Sequence, residues 1–543
     1  MERDPAADRE RLRSIQRLAQ SGQHAEAAAL AQAARAQGLE HPLIYNVLAL
    51  KLESEGRLPE AEALLRNAVR LAPANVASRN ALGLCLLRLE RPGEALVQFE
   101  SALAGESRLP FIHANRGAAL FALRRVGEAE ASFQRALALD ERQAVALAGL
   151  ANIASSRGAY SEARARAEKA LQLVPGNPEA VLSLVAADIG ERKASLAEAR
   201  VRELLAREDL HPLSRAYAAG HLGDALDAQD RTAEAFSAYS LCNRILRETH
   251  GPRFESGPRA LEYAQRLFDF LQRADAAAWR AAPPATDLRD PVSGHVFIVG
   301  FPRSGTTLLE VALEGHPRVV SLEESESLIE GIQEFMQQPE DLDRLRRAPP
   351  ATLDALRESY WRRVAQNGVD VRGKVFVDKN PLDSLKLPLI AGLFPRARIL
   401  IACRDPRDVV LSCFRHRFRM SAPMYELLTL EGTAAYYDTV MGVLLECMRL
   451  LPLESCLVRH EDVVRDFTRE MRRICEFLRL EWAPAMAEFA SRSERRAILT
   501  PSAAQLARGL NASGVGHWRR YQPQLAPVLP LLAGWVSHFR FDR

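Results

Sequence analysis

The chain has 543 residues, more than one hydrophobic core accommodates, so at least two domains are expected. With 48% hydrophobic and 26% charged residues it has the composition of a globular protein, and a formal net charge of +3 argues against a nucleic-acid-coating role. Positive charge is almost all arginine: only Lys51, Lys169, Lys193, Lys374, Lys379 and Lys386 are lysines, a bias expected of a GC-rich bacterial genome that singles out each lysine retained.

The N-terminal stretch Met1-Glu2-Arg3-Asp4-Pro5 is charged and has no apolar h-region, so a secretory signal is not expected. No run of about 18 uncharged apolar residues occurs, and no membrane span is predicted. The seven cysteines are scattered, with no Cys-x-x-Cys pair, which suggests neither a zinc site nor a disulfide framework. A reducing, cytoplasmic location follows as the expectation.

Self-similarity dominates the first half. Leu82-Gly83, Gly93-Glu94-Ala95, Phe99 and Ala102 recur 34 residues on as Gly117, Gly127-Glu128-Ala129, Phe133 and Ala136. A further step gives Ala151, Glu162-Ala163, Ala167 and Ala170, and steps backward reach Gly56 and Glu60-Ala61, then Gly22 and Glu26-Ala27. Leu222-Gly223, Glu234-Ala235 and Tyr239 repeat the pattern in shifted register. Small residues at these positions let two antiparallel helices approach closely, while large ones fill the gap between pairs. The pattern resembles the tetratricopeptide repeat over residues 8–245. That resemblance implies an all-α superhelix whose concave face holds a peptide or partner protein. A purely structural spacer or an oligomerisation arm is the plainer alternative.

From 246 to 294 the pattern breaks at Pro252, Pro258 and Ala281-Ala282-Pro283-Pro284, with a helix predicted over 261–271, so this stretch reads as a linker. The second domain is expected at 295–543. His295-Val296-Phe297-Ile298-Val299 predicts a buried parallel strand, and Gly300-Phe301-Pro302-Arg303-Ser304-Gly305-Thr306-Thr307 then leads into a helix. Strand, glycine-bounded loop and helix is the geometry in which backbone N–H groups cradle phosphate. The lysine that neutralises the phosphates of a nucleoside triphosphate is replaced by Thr306, and Arg303 sits inside the loop, which disfavours a triphosphatase.

This loop resembles the 5′-phosphosulfate loop of sulfotransferases that use 3′-phosphoadenosine 5′-phosphosulfate (PAPS). The resemblance implies an α/β P-loop-like domain with a parallel sheet, in which Arg303, Ser304, Gly305, Thr306 and Thr307 bind the donor without a metal. Arg398–Cys403 predicts a second strand, and Arg404-Asp405-Pro406-Arg407-Asp408-Val409-Val410-Leu411-Ser412 resembles the family's 3′-phosphate motif, which implies that Arg404 and Ser412 grip that phosphate. Arg407 and Asp408 read alternatively as a solvated first turn.

Between these motifs, Asp378-Lys379-Asn380-Pro381 resembles an element of the tyrosylprotein sulfotransferase-like branch, in which the lysine contacts the sulfuryl group or the bridging oxygen. A compact ammonium suits that task. The acceptor hydroxyl must lose a proton. His316-Pro317 followed by Glu323-Glu324 resembles the same branch, where a glutamate of the pair is the base. Glu324 is favoured, Glu323 is next, and His316, His416 and His460 stay as candidates because other branches use histidine. Gly516-His517-Trp518-Arg519-Arg520-Tyr521 resembles the segment that closes over the donor, which makes Trp518 a candidate contact or, equally, a core residue. The Arg-Lys-Gly that usually precedes it is replaced by Asn511-Ala512-Ser513, leaving Ser513 to supply one contact.

The expected activity is transfer of a sulfuryl group from PAPS to a hydroxyl, of a peptide or protein tyrosine held by the repeats, of a carbohydrate or of a small molecule. The rivals are a kinase on the same fold and a repeat scaffold with a decayed nucleotide-binding domain.

Overall fold

The computed structural model describes residues 5–280, 290–489 and 514–542. By compactness the chain divides into two units, residues 1–187 and 188–543.

The first unit is a series of antiparallel helix pairs, among them Val76–Arg88 with Pro92–Gly105 and Pro110–Ala122 with Val126–Leu139. The repeated glycines account for the close packing of each pair. A Cβ placed on Gly83 would lie 2.5 Å from the Phe99 ring, and one on Gly117 would lie 2.6 Å from Phe133. The aromatic side chain thus occupies the space that the glycine leaves. Alanines two turns apart, such as Ala129 and Ala136, are wholly buried along the same seam.

The second unit begins with further helices of this kind. Its terminal hairpin, Pro212–Asp227 and Thr232–Phe254, repeats the device: Gly223 faces Tyr239, whose ring would lie 2.4 Å from an added Cβ. Pro252 falls in the last turn of the second helix, which ends at Phe254. The helix predicted over 261–271 spans Ala260–Gln272.

Among the described residues five strands follow: β1 (Gly294–Gly300), β2 (Val319–Glu323), β3 (Val375–Lys379), β4 (Arg398–Cys403) and β5 (Glu454–Arg459). They form one all-parallel sheet in the order β2-β3-β1-β4-β5. The apolar β1 is central and buried, as its composition requires. Val296 and Ile298 pack on one face against Leu308, Ala312 and the helix Phe467–Leu478, with Met471 and Ile474. On the other face Phe297 joins His295, Tyr360 and Phe394 in an aromatic cluster. The strand order reverses at β1, so a crevice opens at its carboxyl end between β1 and β4. The fold is an all-helical tetratricopeptide array followed by a domain with a parallel sheet.

Candidate active site

The phosphate loop, the Glu323–Glu324 pair, Lys379 and Arg404 each sit at the carboxyl end of a strand. Gly300 ends β1 with φ of 145°, and a Cβ there would lie 2.3 Å from the Ala402 carbonyl oxygen on β4, so only glycine fits. Ser384 fixes the loop's start: its hydroxyl accepts the Gly300 N–H at 2.9 Å and donates to the Gly300 carbonyl at 2.8 Å. The loop then turns through two left-handed residues, Arg303 (φ 71°) and Gly305 (φ 97°), of which the arginine carries real strain. Ser304, Thr306 and Thr307 are buried, and the helix Thr306–Leu313 starts at the end of the turn, where the first N–H groups of a helix have no intrahelical partner.

The two anion motifs converge. Arg303 donates from Nε to Ser412 Oγ at 3.0 Å, and Arg404 donates to the Arg303 carbonyl at 3.3 Å, linking residues 109 and 101 positions apart. Burial, then the neighbouring charges of Arg404 and Arg415, push Arg303 down to about 10. A bound anion would relieve that repulsion. Arg404 Nε is buried with no hydrogen-bond partner among the described residues. His460, which follows β5, stands against Gly305, where an added Cβ would lie 2.8 Å from its Nδ1. Burial, Arg404 and Arg303 lower it to about 3, so it is neutral at physiological pH.

The second cluster lies across β3. Lys379 and Glu323 are register partners on β3 and β2, and the Glu324 N–H donates to the Lys379 carbonyl at 2.8 Å. Lys379 Nζ, on a side chain with 0% exposure, lies 3.0 Å from Glu324, 3.4 Å from Glu323 and 3.7 Å from Glu310. Burial opposes its charge, but the three carboxylates outweigh burial and hold it above the ordinary lysine value. Glu310 is 1% exposed, Glu323 17% and Glu324 37%, so Glu324 is the carboxylate of the three that solvent reaches best. Glu324 also adopts a left-handed backbone (φ 46°), which costs energy for a non-glycine residue and recurs at functional sites. Beneath it, the Tyr360 hydroxyl donates to Asp378 Oδ2 at 2.7 Å and meets His295 Nε2 at 2.9 Å. Burial, and then Asp383, raise Asp378 well above the carboxylate range.

Other candidates fall elsewhere. His316 Nδ1 accepts the Arg318 N–H at 3.1 Å and so orders its turn. His416 packs edge-on against Phe418. The reading of Arg407 and Asp408 as a solvated turn is corrected: Asp408 is buried and accepts the N–H groups of Gly516 at 2.7 Å and Trp518 at 2.8 Å. Arg407 pairs with Asp405 at 2.7 Å, with its guanidinium 4.0 Å from the Trp518 ring centroid. Trp518 is accordingly a buried residue under an arginine. Ser513, with Asn511 and Ala512, lies outside the described residues. Sequence reasoning missed Ser384, Asp408 and Glu310. Only Glu310 left a signal, a lone charge in the apolar run Leu308-Leu309-Glu310-Val311-Ala312-Leu313.

Residues 295–484 match the Sulfotransferase family, and residues 12–75, 47–108 and 115–178 match the Tetratricopeptide repeat. An uncharacterized protein of Aquifex aeolicus is 23% identical over 398 residues, 70% of this chain and 49% of that one. Protein-tyrosine sulfotransferase A of Caenorhabditis elegans is 25% identical over 196 residues, 35% of this chain and 51% of that one. Among solved structures, the sulfotransferase domain of the Synechococcus PCC 7002 olefin synthase is similar over 44% of this chain and 90% of that one, at 23% identity and a TM-score of 0.32. The chain spans about half the length of the curated relatives it matches. It joins tetratricopeptide repeats to a sulfotransferase domain, and so has the makings of a transferase.

Proposed function

We propose that the chain transfers a sulfuryl group from PAPS to a hydroxyl, with a tyrosine of a peptide or protein presented by the repeats as the acceptor. The observation that carries this is the convergence of Arg303, Ser412 and Arg404 at the β1–β4 crevice, with Lys379 at the end of the neighbouring β3 and Glu324 just past β2, paired with it.

The residues suit a doubly phosphorylated donor. Arg404 brings an Nε that is buried and has no hydrogen-bond partner among the described residues, and Gly305 lets the loop pack so close to His460 that an added Cβ would lie 2.8 Å from its Nδ1. Arg303, Ser304, Gly305, Thr306 and Thr307 would hold the 5′ end, and Arg404 and Ser412 the 3′-phosphate. When bound, the donor supplies the activated sulfuryl group. Glu324 accepts the proton of the attacking hydroxyl. Lys379 holds Glu324 in place, and the loop N–H groups with Arg303 face the phosphate oxygen on which charge develops. The tyrosine acceptor rests on similarity to protein-tyrosine sulfotransferases, together with an array of the kind that holds peptides. We assign the chain to the cytoplasm; its seven cysteines are all buried thiols, suited to a reducing compartment, and no described helix is long and apolar enough to cross a membrane.

Calorimetric titration with adenosine 3′,5′-bisphosphate, ADP and ATP tests the donor in the wild type and in Arg404→Ala. The bisphosphate should bind most tightly, and the substitution should weaken it. Tighter binding of ATP, or an indifferent Arg404→Ala, refutes the assignment.

A further inference from the structure

The helix that carries Ser412 ends at Phe414, and the chain continues Arg415-His416-Arg417. Both arginines meet acids on the last turns of the repeat helix Pro212–Asp227. Arg417 donates to Asp224 at 2.7 Å and Arg415 to Asp227 at 2.6 Å. Gly220 makes room for the Arg417 stem, since a Cβ there would lie 2.6 Å from Arg417 Cδ. The second repeat helix adds a stacked pair, Phe236 on Phe414 at 5.1 Å, and a buried hydrogen bond from Asn243 to the Phe414 carbonyl at 2.9 Å.

Asp227 does more than pair with Arg415. Its Oδ1 accepts the Tyr521 hydroxyl at 2.6 Å and lies 3.2 Å from Arg520 Nη1 and 3.4 Å from His517 Nε2, while its carbonyl accepts from Arg520 at 2.8 Å. Burial opposes the charge of this carboxylate, yet His517, Arg415 and Tyr521 together hold it well below its ordinary range. The segment 514–521 is thus gripped from two sides. Asp227 holds its far end, and on the donor side Asp408 takes the N–H groups of Gly516 and Trp518 while Arg404 donates to the Gly514 carbonyl.

We infer that Asp227 is a positioning residue for the donor site: through Tyr521 and Arg415, the terminal repeat hairpin sets the segment that lies on Arg404 and so shapes the 3′-phosphate end. The hairpin is then a working wall of the transferase as well as the last unit of the array. This inference rests on the PAPS reading of the site. Removing one hydrogen bond to a buried charged group is worth roughly a factor of ten or more where the loss reaches the ligand.

The test uses the full chain with Asp227→Asn and, as the milder change, Tyr521→Phe, which deletes only the hydroxyl. Calorimetry measures adenosine 3′,5′-bisphosphate and adenosine 5′-monophosphate, which lacks the 3′-phosphate. Both variants should lose about tenfold in bisphosphate affinity and much less in monophosphate affinity, so the ratio of the two falls. Loss of both ligands in equal measure, or unchanged affinities in Tyr521→Phe, overturns the positioning role and leaves a merely structural contact. A wild type that does not distinguish the two ligands overturns the PAPS reading and this inference with it, whereas a discriminating wild type with indifferent variants overturns this inference alone.

Discussion

If Glu324 is the base, as proposed, replacing it by glutamine separates that role from its surroundings. Four charged groups meet here, Lys379 against Glu310, Glu323 and Glu324, so the cluster carries a formal charge of −2. Glutamine keeps the shape and leaves a carbonyl to accept from Lys379, which retains Glu323 and Glu310. With Glu324 37% exposed, the lost ion pair should cost no more than about 1 kcal/mol of stability. Turnover should nevertheless fall by roughly 10²–10⁴-fold, the usual contribution of a general base. None of the contacts among Arg303, Arg404 and Ser412 involves Glu324, so affinity for adenosine 3′,5′-bisphosphate should stay within about twofold. The assay is transfer of labelled sulfate from PAPS to a tyrosine peptide, run beside calorimetry. Glu323→Gln should keep most of its turnover. Lys379→Met should behave differently again, because it strands three carboxylates without their cation and costs about 3–5 kcal/mol. Turnover of Glu324→Gln within tenfold of the wild type, or a parallel collapse of turnover and bisphosphate affinity, would refute this assignment of the base.

Gly300→Ala should abolish bisphosphate binding and lower the melting temperature, because its Cβ would lie 2.3 Å from a backbone oxygen that cannot move away. Asp408→Asn should cost about 1–3 kcal/mol, since an amide can accept only one of the two N–H groups; hydrogen exchange at Gly516 and Trp518 should quicken selectively. Below pH 6.5 an unfolded His295 takes up a proton that the folded one, lowered to about 3 by burial, refuses, while Asp378, raised to about 7, takes up in the fold a proton that the unfolded chain binds only near 3.8. Acid thus weakens the fold through His295 and strengthens it through Asp378, so Asp378→Asn should lose stability relative to the wild type progressively as the pH falls from 6 to 4, read from urea unfolding.

The sequence was most legible where chemistry repeats or is local. The 34-residue period works because Gly83 and Gly117 must each accommodate an aromatic ring from the following helix, a constraint written at fixed spacing. The strand ends were legible for a similar reason: apolar runs stop where Gly300, Lys379 and Arg404 begin the crevice. Asp408 was hidden because a carboxylate in a first helical turn ordinarily faces water, and its buried partners come from more than a hundred residues away. The same holds for the repeats. The break in pattern after residue 245 marks where the period ends, whereas the compact unit that holds the sheet begins at Asp188. Long-range pairs such as Asp227 with Arg415 bind the terminal hairpin into that unit, and no local pattern encodes them.

The distribution of lysine bears on the same point. In a chain that uses arginine almost throughout, Lys374, Lys379 and Lys386 lie within thirteen consecutive residues around β3. Lys379 is enclosed by three carboxylates, and Lys386 meets the buried Asp383 at 2.8 Å. A guanidinium would bring five donors in a rigid plane into spaces where acceptors converge on one point, leaving some donors buried and unsatisfied. An ammonium, with three donors on a flexible stem, meets Glu310, Glu323 and Glu324 from one nitrogen. At the crevice the demand is reversed: Arg303 must reach Ser412 from a strained loop, and Arg404 must span the Arg303 carbonyl and Gly514 at once. On the proposed reading, point-like charge beside the proton transfer and forked charge around the anion are therefore two requirements of one site, which the choice of lysine at 379 and of arginine at 303 and 404 meets.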